Sequence, residues 1–295
     1  MTTISTVAVL GSGLMGSGIA QTSAAAGIRT IVQDTSETQL KSGQAAIAKS
    51  LARFVEKGKL SAEQQAATLA QLTFTTDLAG AAEADFVIEA VTEDLTVKNE
   101  LWRELDRRCG PATIFASNTS SLSVISMAAT TSRPDRFLGL HFFNPVPLMP
   151  LVEVVRSVQT SPATFEQAWA LVLRLGKQPV AARDASGFIV NLLLIPYLLD
   201  AIRALERGVA STVDLDTALR LGAGHPMGPL TLADFVGLDT LARSAEIMHE
   251  EYRETRYAPP ALLRRMVTAG FYGRKSGRGF YDYRHDPPVA TDLGL

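Results

Sequence analysis

Short apolar runs alternate with longer amphipathic segments through the first two thirds of the chain. Thr6–Leu10, Arg29–Gln33 and residues 85–91, 112–116, 137–140 and 151–155 are rich in Val, Ile, Leu and Phe. They are too short for helices and too evenly apolar for strands with one wet face, so they read as strands buried on both sides. Residues 93–108 form a charged amphipathic helix between two of them. This alternation predicts an α/β fold, a doubly wound sheet with helices on both faces, up to about Asp184. After Ser186-Gly187 the pattern changes to helical periodicity over 188–207, 213–221, 230–249 and 260–269. Pro196 should bend the first of these helices, because it removes one backbone donor. The expected organisation is a nucleotide domain over 1–186, an all-α C-terminal domain over 187–284, and a frayed tail over 285–295 carrying Pro287-Pro288.

The first strand runs directly into Gly11-Ser12-Gly13-Leu14-Met15-Gly16, a G-x-G-x-x-G spacing that opens a helical segment. Gly11 permits the tight turn, Gly13 lets the backbone approach a pyrophosphate, and Gly16 lets helix and strand pack closely. The helix start, with Leu14 and Met15 in its first turn, adds aligned N–H donors. A glycine turn alone is a weak signal and can be incidental. Here the second strand ends in Asp34, about twenty residues on, where a ribose-binding acid is expected. A carboxylate there accepts hydrogen bonds from both ribose hydroxyls and repels a 2′-phosphate. Together these residues predict a Rossmann-type domain binding NAD in preference to NADP.

Three polar groups accompany the later strands. Ser117-Asn118-Thr119-Ser120-Ser121-Leu122 follows one, His141-Phe142-Phe143-Asn144-Pro145 ends another, and Glu153 lies inside a third. At one sheet edge a serine, a histidine and a carboxylate suit either hydrolysis or redox chemistry. Ser120 lies in no G-x-S-x-G elbow, and a hydrolase would leave the dinucleotide fingerprint idle. Oxidising a secondary alcohol needs a base near neutrality, which imidazole supplies, and a carboxylate on its other nitrogen fixes the tautomer. His141 with Glu153 fits that need, although a histidine beside two phenylalanines is also an ordinary core residue. Asn191 sits in an apolar helical run, and burying an unpartnered amide costs about 1–3 kcal/mol, so it calls for a partner. The four histidines are scattered without metal-ligand spacing, and no metal site is expected.

A chain of 295 residues with 46% hydrophobic content can bury a large core. The net charge of −2 gives no electrostatic reason to expect nucleic acid or an anionic membrane as partner. The single cysteine, Cys109, precludes an internal disulfide and suits a reducing compartment. No basic segment followed by an apolar stretch opens the chain, and the longest apolar run is interrupted by Asn191 and Pro196. A cytoplasmic protein is the expectation.

The chain resembles the short-chain L-3-hydroxyacyl-CoA dehydrogenases of the 3-hydroxybutyryl-CoA type. The resemblance runs from the glycine turn through Ser117-Asn118-Thr119-Ser120-Ser121-Leu122 and His141-Phe142-Phe143-Asn144-Pro145-Val146-Pro147. It continues into Gly187-Phe188-Ile189-Val190-Asn191, Gly222-Ala223-Gly224-His225-Pro226-Met227-Gly228-Pro229 and Gly277-Arg278-Gly279-Phe280-Tyr281. It implies oxidation of a 3-hydroxyacyl-CoA by NAD, with His141 as base, Glu153 as its partner, Ser120 on the substrate oxygen and Asn191 on the thioester-side carbonyl. Glu93, Lys98, Asn118, Ser120, Asn144 and Lys275 are implied cofactor contacts, with Arg274 an alternative to Lys275. Glu93 and Lys98 also read as helix-surface charge, Asp94 and Lys98 making an i,i+4 pair. The long helical stretch near 41–71 is implied to be a hairpin closing over the acyl-CoA, with Ser50 and Lys57 against CoA. The ordinary reading of those two is a solvated helix face. The resemblance also implies a homodimer through the C-terminal domain. A dehydrogenase of small hydroxy acids, of the gulonate dehydrogenase and λ-crystallin branch, a 3-hydroxyadipyl-CoA enzyme and a non-enzymatic NAD-binding protein remain the alternatives.

Overall fold

A computed structural model describes residues 4–294, and the chain divides into two compact units after Phe188, two residues beyond the expected boundary. In the first unit the elements are β1 (Thr6–Leu10), α1 (Leu14–Ala25), β2 (Arg29–Gln33), α2 (Glu37–Glu56), α3 (Ala62–Ala70), β3 (Leu72–Thr75), β4 (Phe86–Glu89) and α4 (Leu95–Arg108). They continue with β5 (Ile114–Ser117), α5 (Val124–Ala128), β6 (Phe137–Phe142), β7 (Leu151–Arg156), α6 (Pro162–Arg174) and β8 (Gln178–Arg183). The strands form one sheet in the order β3-β2-β1-β4-β5-β6-β7-β8. The chain winds outward from β1 to β3 and then returns to place β4 beside β1. The crevice at the carboxyl ends of β1 and β4 is therefore the topological switch point where such sheets bind ligands.

Successive residues of β1 face opposite layers. Val7 and Val9 pack with Ile19, Phe86 and Ile88, while Ala8 and Leu10 pack with Val87, Trp102 and Phe115 on the other side. Period-two alternation with both faces buried explains why the strand is apolar throughout. On the α4 side Trp102 lies 5.1 Å from Phe115 and 4.7 Å from Phe137 between ring centroids. Each such contact adds about 0.5–1.5 kcal/mol beyond the area it buries. The β6–β7 pair is antiparallel, whereas every other neighbouring pair in this sheet is parallel.

The helical insertion is a hairpin of α2 and α3. It starts at Glu37, capped by Ser36, four residues ahead of the expected start. Gly58, with φ +65°, turns the chain, and a reciprocal Ser61–Gln64 capping box starts α3. Gly43 lets α2 lie on the glycine-rich turn, since a Cβ there would stand 2.6 Å from the Ser12 carbonyl oxygen.

The second unit comprises α7 (Val190–Glu206), α8 (Thr212–Gly222), α9 (Pro229–Val236), α10 (Leu238–Tyr252) and α11 (Ala261–Thr268), followed by β9 (Tyr281–Asp282) and β10 (Val289–Ala290). Leu198, Leu199, Leu230, Leu241, Leu263 and Phe280 belong to its core. The helix α7 continues through Pro196. The single helix expected over 230–249 is instead two helices, parted at Gly237 with φ +98°. An L residue resists that backbone, whereas a glycine within an apolar periodicity reads as a minor cost. The segment from His285 onward, expected to fray, contains a strand: Val289 and Ala290 pair antiparallel with Asp282 and Tyr281. Leu295 lies outside the described residues. Among the described residues no helix is long and apolar enough to cross a membrane.

Gly237→Ala should cost about 1–2 kcal/mol, because the added Cβ must occupy a positive-φ backbone. Urea unfolding checks this, and a midpoint equal to that of the unsubstituted chain would contradict the break.

Candidate active site

The first-strand turn is shaped for close approach. Gly11 has φ +92° and its N–H donates to the Gln33 carbonyl at 2.8 Å. A Cβ at Gly16 would stand 1.7 Å from the Gly11 carbonyl oxygen, whereas one at Gly13 would meet no protein atom within 4 Å. Gly16 is thus needed for packing, and the space before Gly13 is left to a ligand. Leu14 is largely exposed and Met15 half-buried in the first turn of α1. Asp34, just after β2, is held toward the turn: one carboxylate oxygen accepts from Ser12 N at 2.8 Å and Ser12 Oγ at 2.9 Å. Its other oxygen accepts from Ser36 N at 3.2 Å. A cavity of about 720 Å³ opens here, lined by Gly11, Gly13, Asp34, Gln39, Ala90 and Val97 among others. Two carboxylates, Asp34 and Glu100, lie in its wall and no lysine or arginine does. That wall suits ribose hydroxyls and disfavours an additional phosphate, so the residues present fit NAD.

Beside this cavity the loop after β4 leads to an ionic cluster. Lys98 is fully buried, with Nζ 2.7 Å from Glu89 Oε1 and 3.0 Å from Glu93 Oε2. Glu89 ends β4; it also accepts from Val91 N at 2.9 Å and Ser117 Oγ at 2.5 Å. Glu93 accepts from Ser120 N at 3.0 Å and from the Thr119 hydroxyl. Burial raises the Glu89 carboxyl above its ordinary range. Burial pushes Glu93 the same way, but the Lys98 ammonium and the hydroxyl and amide donors outweigh it and hold Glu93 low. Burial would lower Lys98, but the two carboxylates prevail and hold it high. The surface pairing of Lys98 with Asp94 does not occur. Asp94 caps α4 by accepting from Thr96 N at 2.9 Å and Val97 N at 3.1 Å, an arrangement worth about 1 kcal/mol. Glu89 went unnoticed as a site residue in the sequence. A signal for it exists: Lys98 falls in phase with Trp102 and Leu105 on the buried stripe of α4, and a lysine there needs a carboxylate.

The β5 and β6 ends lie side by side, with Ser117 in register with Gly139. Asn118 Oδ1 accepts from Phe142 N at 2.9 Å, tying the Ser120 loop to the strand that carries His141. The loop is braced on its far side too: Asp184 accepts from Val124 N and Ile125 N at 2.8 and 2.6 Å, and Ser186 Oγ donates to the Ser121 carbonyl at 2.8 Å. His141 and Glu153 are register partners across the antiparallel β6–β7 pair. Nδ1 of His141 lies 2.6 Å from Glu153 Oε2, and both side chains are buried. Because an ionised carboxylate can only accept, Nδ1 carries the proton and Nε2 is the nitrogen able to take one. Phe143 and Phe188 flank the ring, at centroid distances of 4.4 and 5.7 Å. Ser120 is half-buried and Asn144 exposed.

The remaining residues are placed separately. Ser50 and Lys57 lie two turns apart on one stripe of α2 and its C-cap, Ser50 half-buried and Lys57 exposed. In the second unit, Asn191 lies in the first turn of α7. Lys275 pairs with Asp239 at 2.6 Å, while the Arg274 guanidinium stacks on Phe235 and Tyr283.

A fingerprint turn at the switch point and an imidazole held by a carboxylate at the same sheet edge are what hydride exchange with a dinucleotide demands of a protein. Fold and site are those of a nicotinamide-dependent dehydrogenase. A family model described as the NAD-binding domain of 3-hydroxyacyl-CoA dehydrogenase matches residues 6–185, and one described as its C-terminal domain matches residues 187–283. The chain belongs to the 3-hydroxyacyl-CoA dehydrogenase family, and it is an NAD-dependent oxidoreductase acting on a CH–OH group. It is 51% identical to 3-hydroxybutyryl-CoA dehydrogenase of Mycobacterium tuberculosis over 95% of this chain and 99% of that one. It is 47% identical to the mitochondrial hydroxyacyl-coenzyme A dehydrogenase of Homo sapiens over 94% of this chain and 91% of that one. The crystal structure of (S)-3-hydroxybutyryl-CoA dehydrogenase PaaH1 from Ralstonia eutropha superposes with a TM-score of 0.92 at 43% identity, covering 95% of this chain and 99% of that one.

Asp34→Ala should weaken NADH binding about tenfold or more while changing NADPH binding little, because it removes the ribose acceptor together with the repulsion of a 2′-phosphate. Fluorescence titration with both nucleotides checks this, and an unchanged preference would remove Asp34 from that role.

Proposed function

We propose that the enzyme interconverts short-chain (S)-3-hydroxyacyl-CoA and 3-oxoacyl-CoA, with 3-hydroxybutyryl-CoA as the substrate that suits it best. The observation that carries the reading is the buried His141–Glu153 pair, 2.6 Å apart, at the carboxyl edge of a sheet whose first turn is built for NAD. NAD, when bound, supplies the hydride acceptor. His141 Nε2 takes the hydroxyl proton, while Glu153 keeps the opposite nitrogen protonated and stabilises the imidazolium that results. The Ser120 hydroxyl hydrogen-bonds the substrate oxygen, and Asn191 holds the thioester carbonyl. Gly11, Gly13, Leu14, Met15, Gly16 and Asp34 bind the adenosine and pyrophosphate half of the cofactor. Glu93, Lys98, Asn118, Ser120, Asn144 and Lys275 serve its nicotinamide half. Ser50 and Lys57 meet CoA on the hairpin, where their shared stripe and the exposure of Lys57 suit a phosphate-bearing ligand.

The enzyme is a homodimer joined through its helical unit, a reading supported by the exposed apolar side chains of Leu193, Val213 and Leu221 on α7 and α8. A cytoplasmic location accords with the reduced, buried Cys109. Light scattering at micromolar concentration should give twice the chain mass, and a single chain mass would end the dimer reading.

With acetoacetyl-CoA, NADH should be consumed rapidly, and with free acetoacetate or with NADPH scarcely at all. Turnover of the free acid in place of the thioester would move the enzyme to the hydroxy-acid dehydrogenases. His141→Ala should lower kcat about 10²- to 10⁴-fold, the range for a lost general base, while the NADH Kd stays within about twofold. A large change in Kd with kcat retained would assign His141 to cofactor binding.

A further inference from the structure

Among the described residues two side chains other than glycine stand on a left-handed backbone, Phe188 with φ +48° and Arg253 with φ +56°. Arg253 is the exposed cap that ends α10, where that conformation is ordinary. Phe188 ends no helix. It closes the turn that follows β8, its N–H donating to the Ala185 carbonyl at 2.8 Å, and it comes directly after Gly187 at φ +84°. A Cβ on such a backbone is crowded by the carbonyl that follows it, and a bulky side chain is poorly suited to bear this. A second glycine would make the same turn without strain, so the ring is what phenylalanine adds here.

That ring is buried in the core on the α4 side and lies 5.7 Å from the His141 ring between centroids, tilted by 59°. The turn that carries it is pinned from two sides. Asp184 accepts from Val124 N and Ile125 N, and Ser186 Oγ donates to the Ser121 carbonyl. One short turn therefore braces both the Ser120 loop and the imidazole. The imidazole needs a brace, because its bond to Glu153 is made at Nδ1 alone. A ring held at one atom can pivot about it, and that pivot swings Nε2. Phe143 also touches the ring but is only half-buried, so the firmer wall is Phe188. We propose that Phe188 is a positioning residue, its strained backbone holding its ring against His141 so that Nε2 keeps one direction. Strain of this kind persists only where the surroundings over-determine it, and here they do. The proposal rests on the reading of His141 as the base.

Comparing stability with turnover separates this role from core filling. Phe188→Ala and Phe188→Gly both remove the ring, but only glycine relieves the backbone, so Phe188→Gly should have the higher urea midpoint of the two. With acetoacetyl-CoA and NADH, kcat should nevertheless fall about ten- to a hundredfold in both, with the NADH Kd and the thioester KM within about twofold of the unsubstituted enzyme. The Nδ1 proton of His141, assigned in the NMR spectrum by its absence from His141→Gln, should be sharp in the unsubstituted enzyme and lost to solvent exchange in Phe188→Gly. If Phe188→Ala does not fold, Phe188→Gly decides alone. A kcat retained in Phe188→Gly would overturn the proposal, since turnover would then follow the fold and not the ring. So would an Nδ1 proton as sharp in Phe188→Gly as in the unsubstituted enzyme, or one unprotected in both. The readings beneath it are tested apart from it. A His141→Ala enzyme that turns over normally would end the base reading, and an unsubstituted enzyme that ignores acetoacetyl-CoA would end the substrate reading. In either case the Nδ1 proton still decides whether Phe188 holds the ring.

Discussion

A strand buried on both faces has one place for a polar side chain that carries little penalty, and that place is its end. β1, β4 and β5 are enclosed at every position, so each is apolar until it leaves the sheet. Parallel neighbours cannot be joined by tight turns, so the chain exits each of them into a loop and crossover on the same edge. The glycine turn, Asp34, the Glu93 loop and the Ser120 loop therefore gather at one crevice. Function collects there as a consequence of burying the sheet.

The same constraint explains the ionic cluster. Glu89 and Ser117 are the last residues of neighbouring strands and are in register with each other. Each is the first position at which its strand admits a polar group, but both are still covered by α4. A carboxylate in that setting must be paired and hydrogen-bonded to be tolerated. Lys98, projecting inward from the first turns of α4, supplies the charge, and Ser117 and Val91 supply the remaining donors. Breaking the Glu89–Lys98 pair would strand a charge away from water, and losing Ser117 or Val91 would leave a buried carboxylate oxygen short of a donor, so the loops on either side are held together by the cost of separating them.

Much of this was legible in the sequence, and the losses have physical causes. The apolar runs revealed the parallel strands because burial on two faces leaves no alternative composition. The run over 151–155 revealed a strand but not its direction, since an apolar run reads the same whichever way it points. β8 went unrecognised because its exposed edge positions and Pro179 break the apolar pattern. Gly237 hid within an apolar periodicity that one glycine does not disrupt. Glu89 was visible only as a carboxylate inside the apolar run over 85–91, and its partner lies nine residues on across a loop and a helix start. Only the phase of α4, fixed by the Asp94 cap, turns Lys98 inward. His141 and Glu153 stood out because imidazole and carboxylate in apolar strands require partners, although their meeting depends on topology.

That dependence accounts for the one reversed pair in the sheet. His141 lies near the end of β6, so a partner for its ring must also reach the carboxyl edge. A further parallel strand would bring only its own last residues there, exposed and on a mobile exit loop. An antiparallel strand instead begins at that edge, and its third residue already lies within the sheet, flanked on both sides by paired backbone. Glu153 is that residue in β7. The register sets it directly opposite His141, which brings the carboxylate to Nδ1 with no loop in between. Because side chains alternate between faces along a strand, a slip of one residue would turn Glu153 to the other side of the sheet and leave both groups buried without each other. The apolar neighbours Val152 and Val154, fully buried on the opposite face, resist that slip, so the packing of the core is what fixes the orientation of the imidazole.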